Sequence, residues 1–178
     1  DARSKLLEYG GVFISDVVGL GKTYIATLLA KELETIDGKK SGTLVIAPPV
    51  LLDENNPGSW KKAFNDFGVR RREFVSRGML DEKAIEKSKN CRTVIIDESH
   101  GFRNESTKTY EQLLRICKGK KVILVSATPL NNTPIDILSQ IKLFQNIRNS
   151  TIPGMKNLDK FFNTLSKKLK GLDRQQDN

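Results

Sequence analysis

Residues 16–23 read D-V-V-G-L-G-K-T, directly after an apolar run at residues 12–14 and directly before a helical pattern. A glycine-rich turn between a strand and a helix lets successive backbone N–H groups converge on a polyphosphate, and the helix N-terminus adds its positive dipole. In the pattern G-x-x-x-x-G-K-[ST], Lys22 reaches the β and γ oxygens and Thr23 offers its hydroxyl to magnesium. The loop therefore predicts a nucleoside triphosphate, bound with Mg²⁺.

This loop departs from the generic pattern at its first position, where Asp16 stands in place of glycine. On this motif alone, an ordinary glycine-rich turn is an equal alternative. The phosphate-loop interpretation assigns nucleotide binding to the following residues: Asp16, Gly19, Leu20, Gly21, Lys22 and Thr23.

A second motif, Asp97-Glu98-Ser99-His100, ends the apolar run at residues 94–96. Carboxylates at the end of a fully apolar strand are costly unless something there needs their charge, and magnesium supplies that need. Asp97 would hold the ion through water, and Glu98 would orient or deprotonate the attacking water, so Lys22, Asp97 and Glu98 are the predicted catalytic residues. A solvated turn after a strand is the alternative, and the upstream loop weighs against it.

The only histidine of the chain, His100, lies three residues after Asp97. Its imidazole could hydrogen-bond a neighbouring strand end and report the state of the nucleotide, whereas the simpler alternative is a satisfied polar side chain. The expected partner is the segment Ser126-Ala127-Thr128, which ends the apolar run at residues 122–125. The hydroxyls of Ser126 and Thr128 would complete a coupling group with His100.

Apolar runs alternate with helical patterns along the chain, at residues 12–14, 44–47, 73–75, 94–96 and 122–125. Apolar strands without alternation indicate a sheet covered on both faces, which predicts an α/β fold with a parallel, doubly wound sheet. Ligands of such sheets bind at the carboxyl ends of the strands. Lys22, Asp97 and Thr128 all follow strand ends, so we expect one site in one crevice.

Helical patterns fill the intervals between these runs. After the phosphate loop, an apolar stripe predicts a helix packed on the sheet through Ile25, Leu28, Leu29, Leu33 and Ile36. Another helix is expected to begin at Thr133-Pro134, with threonine as the cap and proline in the first turn. A terminal amphipathic helix is predicted from the stripe Leu158, Phe161, Phe162, Leu165, Leu169 and Leu172. It either packs on its own domain or begins a connection to another one.

Composition limits the class of protein. A chain of 178 residues is enough for one domain with a real core, since about 70% of the unfolded surface is buried at this size. Cys91 and Cys117 show no C-x-x-C spacing, which predicts reduced thiols in an intracellular protein rather than a disulfide or a zinc site. No apolar stretch approaches the ~20 residues of a membrane span, and the N-terminus lacks signal-peptide character. We expect a cytoplasmic or nucleoid-associated protein without a membrane partner.

The chain has thirty basic and twenty-one acidic residues, a net charge of +9. The surplus lies partly at residues 70–72, at residues 118–121 and in the terminal helix. Such runs suggest binding of a polyanion, although a solvated face is the common alternative. Aromatic residues are only 7% of the chain and do not interleave the basic runs, so base stacking is not expected to dominate.

The motifs together resemble the Swi/Snf-type branch of the superfamily-two helicases. The matching stretches are D-V-V-G-L-G-K-T, D-E-S-H-G-F-R-N-E-S-T-K and V-S-A-T-P-L-N-N, in family order within residues 10–144. Residues 44–52, followed by Trp60, resemble motif Ia of that branch, a strand that leads into a DNA-contacting turn. In this branch the phosphate loop has an acidic residue at the position of Asp16. It usually has Glu, Gln and Gly where this chain has Val17, Ile25 and Ala127.

The resemblance implies a RecA-like, P-loop NTPase lobe at residues 1–150, with a helical extension at residues 151–178 leading to an insertion or a second lobe. It implies ATP and Mg²⁺ as ligands and duplex DNA as the expected track of a translocase. Family DNA contacts carry over to Pro48 and Pro49, and less firmly to Ser76 and Arg77.

The same resemblance places the arginine finger on the second RecA-like lobe of the same protein and a glutamine motif just upstream of the first residue. We therefore expect a chain truncated at both ends that hydrolyses ATP very slowly alone. A nucleotide-gated DNA- or protein-binding module is the alternative function. A small-molecule kinase would leave the motif around Thr128 unexplained.

Overall fold

The computed structural model describes residues 2–15, 21–36, 41–102, 107–126 and 133–176, apart from the side chains of residues 100 and 172–176. The strands are β1 (Gly11–Ser15), β2 (Gly42–Ala47), β3 (Arg72–Ser76), β4 (Cys91–Asp97) and β5 (Lys121–Ser126). The helices are α1 (Ala2–Tyr9), α2 (Lys22–Ile36), α3 (Pro49–Leu52), α4 (Trp60–Asp66), α5 (Glu82–Ser88), α6 (Lys108–Cys117), α7 (Pro134–Ile141) and α8 (Leu158–Gln176). A 3-10 helix, Ser99–Phe102, follows β4.

All five strands form one parallel sheet in the order β1-β5-β4-β2-β3. Each predicted apolar run lies within one of these strands, so the predicted α/β fold is confirmed. Because the strands are parallel, their carboxyl ends meet at one edge of the sheet. β5 lies between β1 and β4, which brings the end of β5 between the ends of β1 and β4.

Helices cover both faces of the sheet. Val45, Ile95 and Ile123 point into a core shared with α1, α2 and α4. Their neighbours Leu44 and Ile96 point into a second core, shared with α5 and α6. The central strands are therefore buried on both sides, which is why their sequences are apolar without alternation.

The predicted packing stripe of α2 is wrong in part. The buried face of this helix consists of Ala26, Thr27, Leu29, Ala30 and Leu33. By contrast, Ile25, Leu28 and Ile36 are 41%, 48% and 52% exposed. Alanines at the i and i+4 positions let the helix lie close to the sheet, and this close approach turns the larger residues at its flanks towards solvent.

Two helices at the end of the chain pack on each other. α7 begins as predicted: the Thr133 hydroxyl accepts a hydrogen bond from the Asp136 amide at 3.3 Å, and the Asp136 carboxylate accepts one from the Thr133 amide at 2.9 Å. Leu158 and Phe162 of α8 are buried against α7, whereas Leu169 is 42% exposed. The first turns of α8 thus pack on the domain, and the boundary at residue 150 stays a prediction.

Both cysteines are free and buried, as expected. Burial raises the pKa of the Cys91 thiol to about 11 and that of Cys117 to about 12. Within the described ranges, no helix combines the length and the apolar character needed to cross a membrane.

Candidate functional site

A cavity of about 460 Å³ opens at the carboxyl edge of the sheet. It is lined by Gly21, Lys22, Thr23, Tyr24, Leu51, Gly58, Ser59, Ala63, Asp97, Glu98 and Val125. The first four come from the start of α2, and the carboxylates and valine come from the ends of β4 and β5. The structure therefore brings both predicted motifs to one cavity.

The start of α2 lines the side of this cavity where phosphates are predicted to bind. Gly21 has a φ of +79°, and its carbonyl accepts the Ile25 amide at 3.0 Å, so regular helix begins at Lys22. The Thr27 hydroxyl donates to the Thr23 carbonyl at 2.7 Å. The first N–H groups of a helix have no acceptor within the helix, and a helix N-terminus favours an anion. Asp16, Gly19 and Leu20 lie outside the described residues.

Asp97 is the buried carboxylate of the site, with only 6% of its surface exposed. Its Oδ2 accepts the indole N–H of Trp60 at 2.8 Å, and its Oδ1 accepts the Glu98 amide at 2.8 Å. Burial raises the pKa of Asp97, and the negative charge of Glu98 adds to the rise; the two hydrogen bonds and the positive charge of Lys22 oppose it. A bound cation would favour the charged form of this group.

Glu98 has a left-handed backbone, with a φ of +52°. Non-glycine residues seldom adopt this region, and such strain costs on the order of 1–3 kcal/mol. The turn redirects the chain from β4 into the 3-10 helix, whose first hydrogen bond runs from the Gly101 amide to the Glu98 carbonyl at 3.0 Å. Both adjacent acids line the cavity, and their separate roles stay a prediction.

The oxygen groups of the cavity fit magnesium. Thr23 and Asp97 line the same wall as Lys22, and hydroxyl and carboxylate oxygens are ligands that Mg²⁺ prefers alongside phosphate oxygens. Among the residues that the structure describes, no group of three or more His, Cys, Asp and Glu side chains could hold a metal. A magnesium ion here would take its remaining ligands from phosphates and water.

Only part of the predicted coupling group is described. Ser126 is 3% exposed at the end of β5, where it pairs with Ser15 of β1. The backbone of His100 lies in the 3-10 helix, but its side chain and all of Thr128 fall outside the described part of the chain.

The neighbouring Ser99 has a contact that the sequence did not reveal. Its hydroxyl donates to Gln140 Oε1 of α7 at 2.8 Å, and both residues are 1% exposed. The acidic motif is thus tied to α7 by a fully buried polar pair. The pair is separated by 41 positions in the chain, so no local pattern could have predicted it.

The four residues predicted to contact DNA lie close together at the same edge of the sheet. Pro48 and Pro49 follow β2, and Ser76 and Arg77 end and follow the neighbouring strand β3. The Arg77 amide donates to the Ala47 carbonyl at 3.0 Å. These two turns therefore form one surface beside the cavity.

Arg77 also approaches the acidic motif. A Cβ added to Gly101 would lie 2.4 Å from Arg77 Nη1, so the guanidinium lies directly over the 3-10 helix. Glycine at this position permits the close approach.

Trp60 is the site residue that sequence reasoning assigned elsewhere. The sequence presents it as a marker beside the DNA-contacting turn, whereas the structure buries it completely and points its indole N–H at Asp97. Two signals could have suggested the pair, because a buried indole N–H and a buried carboxylate each need a partner.

Comparisons with known proteins agree with this fold. The family model described as SNF2-related domain matches residues 75–170. Among solved structures, the chain is similar to the Sulfolobus solfataricus SWI2/SNF2 ATPase core in complex with dsDNA. That match has a TM-score of 0.69 and 18% identity, and it covers 96% of this chain and 37% of the other. It supports the RecA-like fold.

Curated relatives include the uncharacterized ATP-dependent helicase YqhH of Bacillus subtilis (strain 168). That protein is 28% identical over 148 residues, covering 76% of this chain and 26% of YqhH. The Caenorhabditis elegans homolog of SWI/SNF-related matrix-associated actin-dependent regulator of chromatin subfamily A-like protein 1 is 27% identical over 159 residues, covering 75% of this chain and 21% of that protein. The chain thus spans about a quarter of the length of these relatives.

Proposed function

The chain belongs to the SNF2-related domain family, and from this premise we propose that it is the ATP-binding first motor lobe of a Swi/Snf-type DNA translocase. The observation that carries the proposal is the meeting of Lys22, Asp97 and Glu98 at one cavity on the carboxyl edge of the sheet. These residues come from two motifs more than seventy positions apart in the sequence. A cavity that combines a helix N-terminus, a lysine and two carboxylates suits a nucleoside triphosphate with magnesium.

Each residue has a distinct task in this proposal. Lys22 would neutralise the β- and γ-phosphate oxygens, while Thr23 and Asp97 would hold magnesium. Glu98, which lines the cavity beside Asp97, would position the water that attacks the γ-phosphate. Magnesium, when bound, would supply charge neutralisation at the phosphates.

We further propose that this chain alone hydrolyses ATP slowly. Swi/Snf-type motors, which this chain resembles, carry their arginine finger on a second RecA-like lobe, and the absence of such a residue typically lowers the rate ~10³- to 10⁵-fold. A duplex-stimulated turnover on the order of 1 per second by the purified 178-residue chain would contradict this proposal.

DNA is the proposed partner of the two turns beside the cavity. Pro48, Pro49, Ser76 and Arg77 form one surface, and the net charge of +9 favours a polyanion. The Sulfolobus relative in the comparison is a complex with dsDNA, which favours duplex over single strands for this chain. Contacts to phosphates give affinity without sequence reading, so we expect binding that weakens steeply with salt. A DNA-dependent motor with reduced cysteines implies an intracellular location.

The experiment that tests this function is ATP hydrolysis by the longer protein that includes the second lobe. Duplex DNA, single-stranded DNA and RNA are compared as activators, and Lys22→Ala is the control. Stimulation by duplex that is lost in Lys22→Ala supports the translocase. Equal rates with and without every nucleic acid would overturn it.

The alternative function is a nucleotide-gated binding module, in which ATP changes affinity for DNA or a protein and turnover is incidental. One observation supports this alternative. The hydrogen bond between Trp60 and Asp97 joins the cavity to the segment that follows the proposed DNA-contacting turn. Glu98→Gln separates the two functions. The motor needs hydrolysis and fails in this variant, whereas a gated module keeps its biological action.

A further inference from the structure

Trp60 makes a contact in the nucleotide cavity that no motif assigns. It is the only tryptophan of the chain, it is 0% exposed, and its indole Nε1–H donates to Asp97 Oδ2 at 2.8 Å. The two residues are 37 positions apart in the chain and come from α4 and β4. The bond therefore joins two elements at the wall of the cavity.

The geometry at Asp97 requires such a donor. The carboxylate is nearly inaccessible to water, and a buried carboxylate without donors is strongly unfavourable. An indole N–H can satisfy it without adding a charge, and it has no acceptor that would compete with the carboxylate for a cation. Oδ1 is engaged by the Glu98 amide and Oδ2 by Trp60, so both torsions of the side chain are fixed.

The indole itself is fixed by packing. Its ring contacts Phe64 edge-on, with centroids 6.1 Å apart and planes at 68°, and Phe64 contacts Phe74 in the same way at 5.6 Å. Ser59 caps α4 by accepting the Lys62 amide at 3.2 Å, which holds the first turn where Trp60 begins. The donor therefore cannot follow the carboxylate if the carboxylate rotates.

We propose that Trp60 is a positioning residue that orients the Asp97 carboxylate for magnesium, and that its indole is a built-in reporter of cation binding. This inference rests on the proposed nucleotide site and adds a residue to it. Donors that orient metal-binding groups from outside the coordination sphere commonly change metal affinity 10- to 100-fold when removed. We expect the same order of effect here.

The first test compares Trp60→Phe with Phe162→Leu in the 178-residue chain. The measured quantity is the Mg²⁺ concentration that gives half-maximal binding of a fluorescent non-hydrolysable ATP analogue. Trp60→Phe keeps an aromatic ring but loses the N–H, so the half-maximal concentration should rise about 10-fold. Phe162→Leu disturbs the separate core cluster of α7 and α8, so it should lower the melting temperature and leave that concentration unchanged.

An unchanged magnesium requirement in Trp60→Phe would overturn the inference. An equal rise in both variants would also overturn it, because loss of packing alone would then explain the effect. If the wild-type chain binds no nucleotide at all, the proposed site and this inference both fail. Nucleotide binding with an unchanged magnesium requirement removes the inference and leaves the proposed function intact.

The second test uses the fluorescence of Trp60, which needs no activity. Because a carboxylate lies 2.8 Å from the indole nitrogen, a cation at Asp97 changes the local electric field and should shift the emission. The shift is expected when Mg²⁺ is added to the nucleotide-bound chain, and it should disappear in Asp97→Asn. Constant Trp60 emission during binding that the analogue itself reports would contradict the reporter role.

Discussion

The two edges of the sheet differ in how they hold their charged residues. At the carboxyl edge, Asp97 is 6% exposed and both of its oxygens accept hydrogen bonds. At the amino edge, Arg70, Arg71 and Arg92 are exposed and form no ion pair within the described part of the chain. They line a cavity of about 630 Å³, larger than the one beside Asp97. The size and the charge of a cavity therefore do not identify the candidate functional site. A buried charged group with specific hydrogen-bond partners is the better indicator.

At the amino edge, charged side chains of α2 form hydrogen bonds with backbone groups. Glu34 Oε1 accepts the amides of Arg70 and Arg71 at 3.2 and 3.0 Å, and Lys31 Nζ donates to the Gly68 carbonyl at 2.7 Å. These bonds fix the loop before β3 and leave the arginine side chains in solvent. We therefore expect changes at this edge to affect stability and changes at the carboxyl edge to affect chemistry.

The largest expected difference between the edges is in ATP hydrolysis by a protein that joins this chain to the proposed second lobe. Lys22→Ala removes the cation that faces the phosphates and should lower the duplex-stimulated rate by at least ~100-fold. Arg92→Ala removes an exposed cation at the other edge and should leave the rate within about 2-fold. Comparable losses in the two variants would contradict the assignment of the site to the carboxyl edge.

Left-handed residues allow a second comparison, because each edge has at least one. Glu98 has a φ of +52° at the carboxyl edge, and Gly119 has a φ of +72° at the amino edge. Glu98→Gly should abolish hydrolysis yet raise the free energy of unfolding by up to about 1 kcal/mol, since it relieves strain. Gly119→Ala should lower the free energy of unfolding by about 1–2 kcal/mol and leave hydrolysis unchanged.

Denaturant unfolding of each purified variant measures these stability changes, and ATP turnover is measured beside it. If Glu98→Gly proves less stable than the parent, the left-handed turn is not strained. Glu98 would then not lower the stability of the fold in exchange for its proposed role in hydrolysis.

Glu34→Gln tests whether a residue at the amino edge affects the stability of the fold and not hydrolysis. Burial raises the pKa of Glu34, but the Arg71 amide, the Lys31 ammonium and the Arg70 amide outweigh it, so the pKa lies below its ordinary 4.5. The ionised form therefore stabilises the fold above pH 4.5, and this contribution is lost as the pH falls through the folded pKa. At pH 7 the variant should be about 1–2 kcal/mol less stable, with unchanged hydrolysis.

The pH dependence supplies the control for this prediction. The difference in unfolding free energy between the parent and Glu34→Gln should shrink as the pH is lowered below 4.5. A difference that stays constant across that range would show that the charge of Glu34 does not hold the loop.

The smallest expected effect is on affinity for duplex DNA. Arg77→Ala should weaken binding about 5-fold, because one phosphate contact is lost at the proposed DNA surface. Arg71→Ala should weaken it less than 2-fold, although the residue is more exposed. Fluorescence anisotropy at a fixed salt concentration measures both, and a larger loss in Arg71→Ala would move the DNA surface to the amino edge.

Sequence reasoning was reliable where the chain itself carries the pattern. The apolar strands and the turns that follow them predicted a parallel sheet with Lys22 and Asp97 at one edge, because residues next to one another in sequence fix each strand. The prediction of the packed face of α2 was wrong in part: Leu29 and Leu33 are buried as predicted, but Ala26 and Ala30 complete the buried face. The partner of Asp97 was missed because Trp60 meets it only through the tertiary fold.

The most direct test of the account is a titration of the 178-residue chain with a fluorescent ATP analogue in the presence of Mg²⁺. The account predicts saturable binding by the parent chain and by Arg92→Ala, and loss of binding in Lys22→Ala, because the nucleotide lies at the carboxyl edge of the sheet. Binding that survives Lys22→Ala but is lost in Arg92→Ala, or no binding by the parent chain, would contradict it.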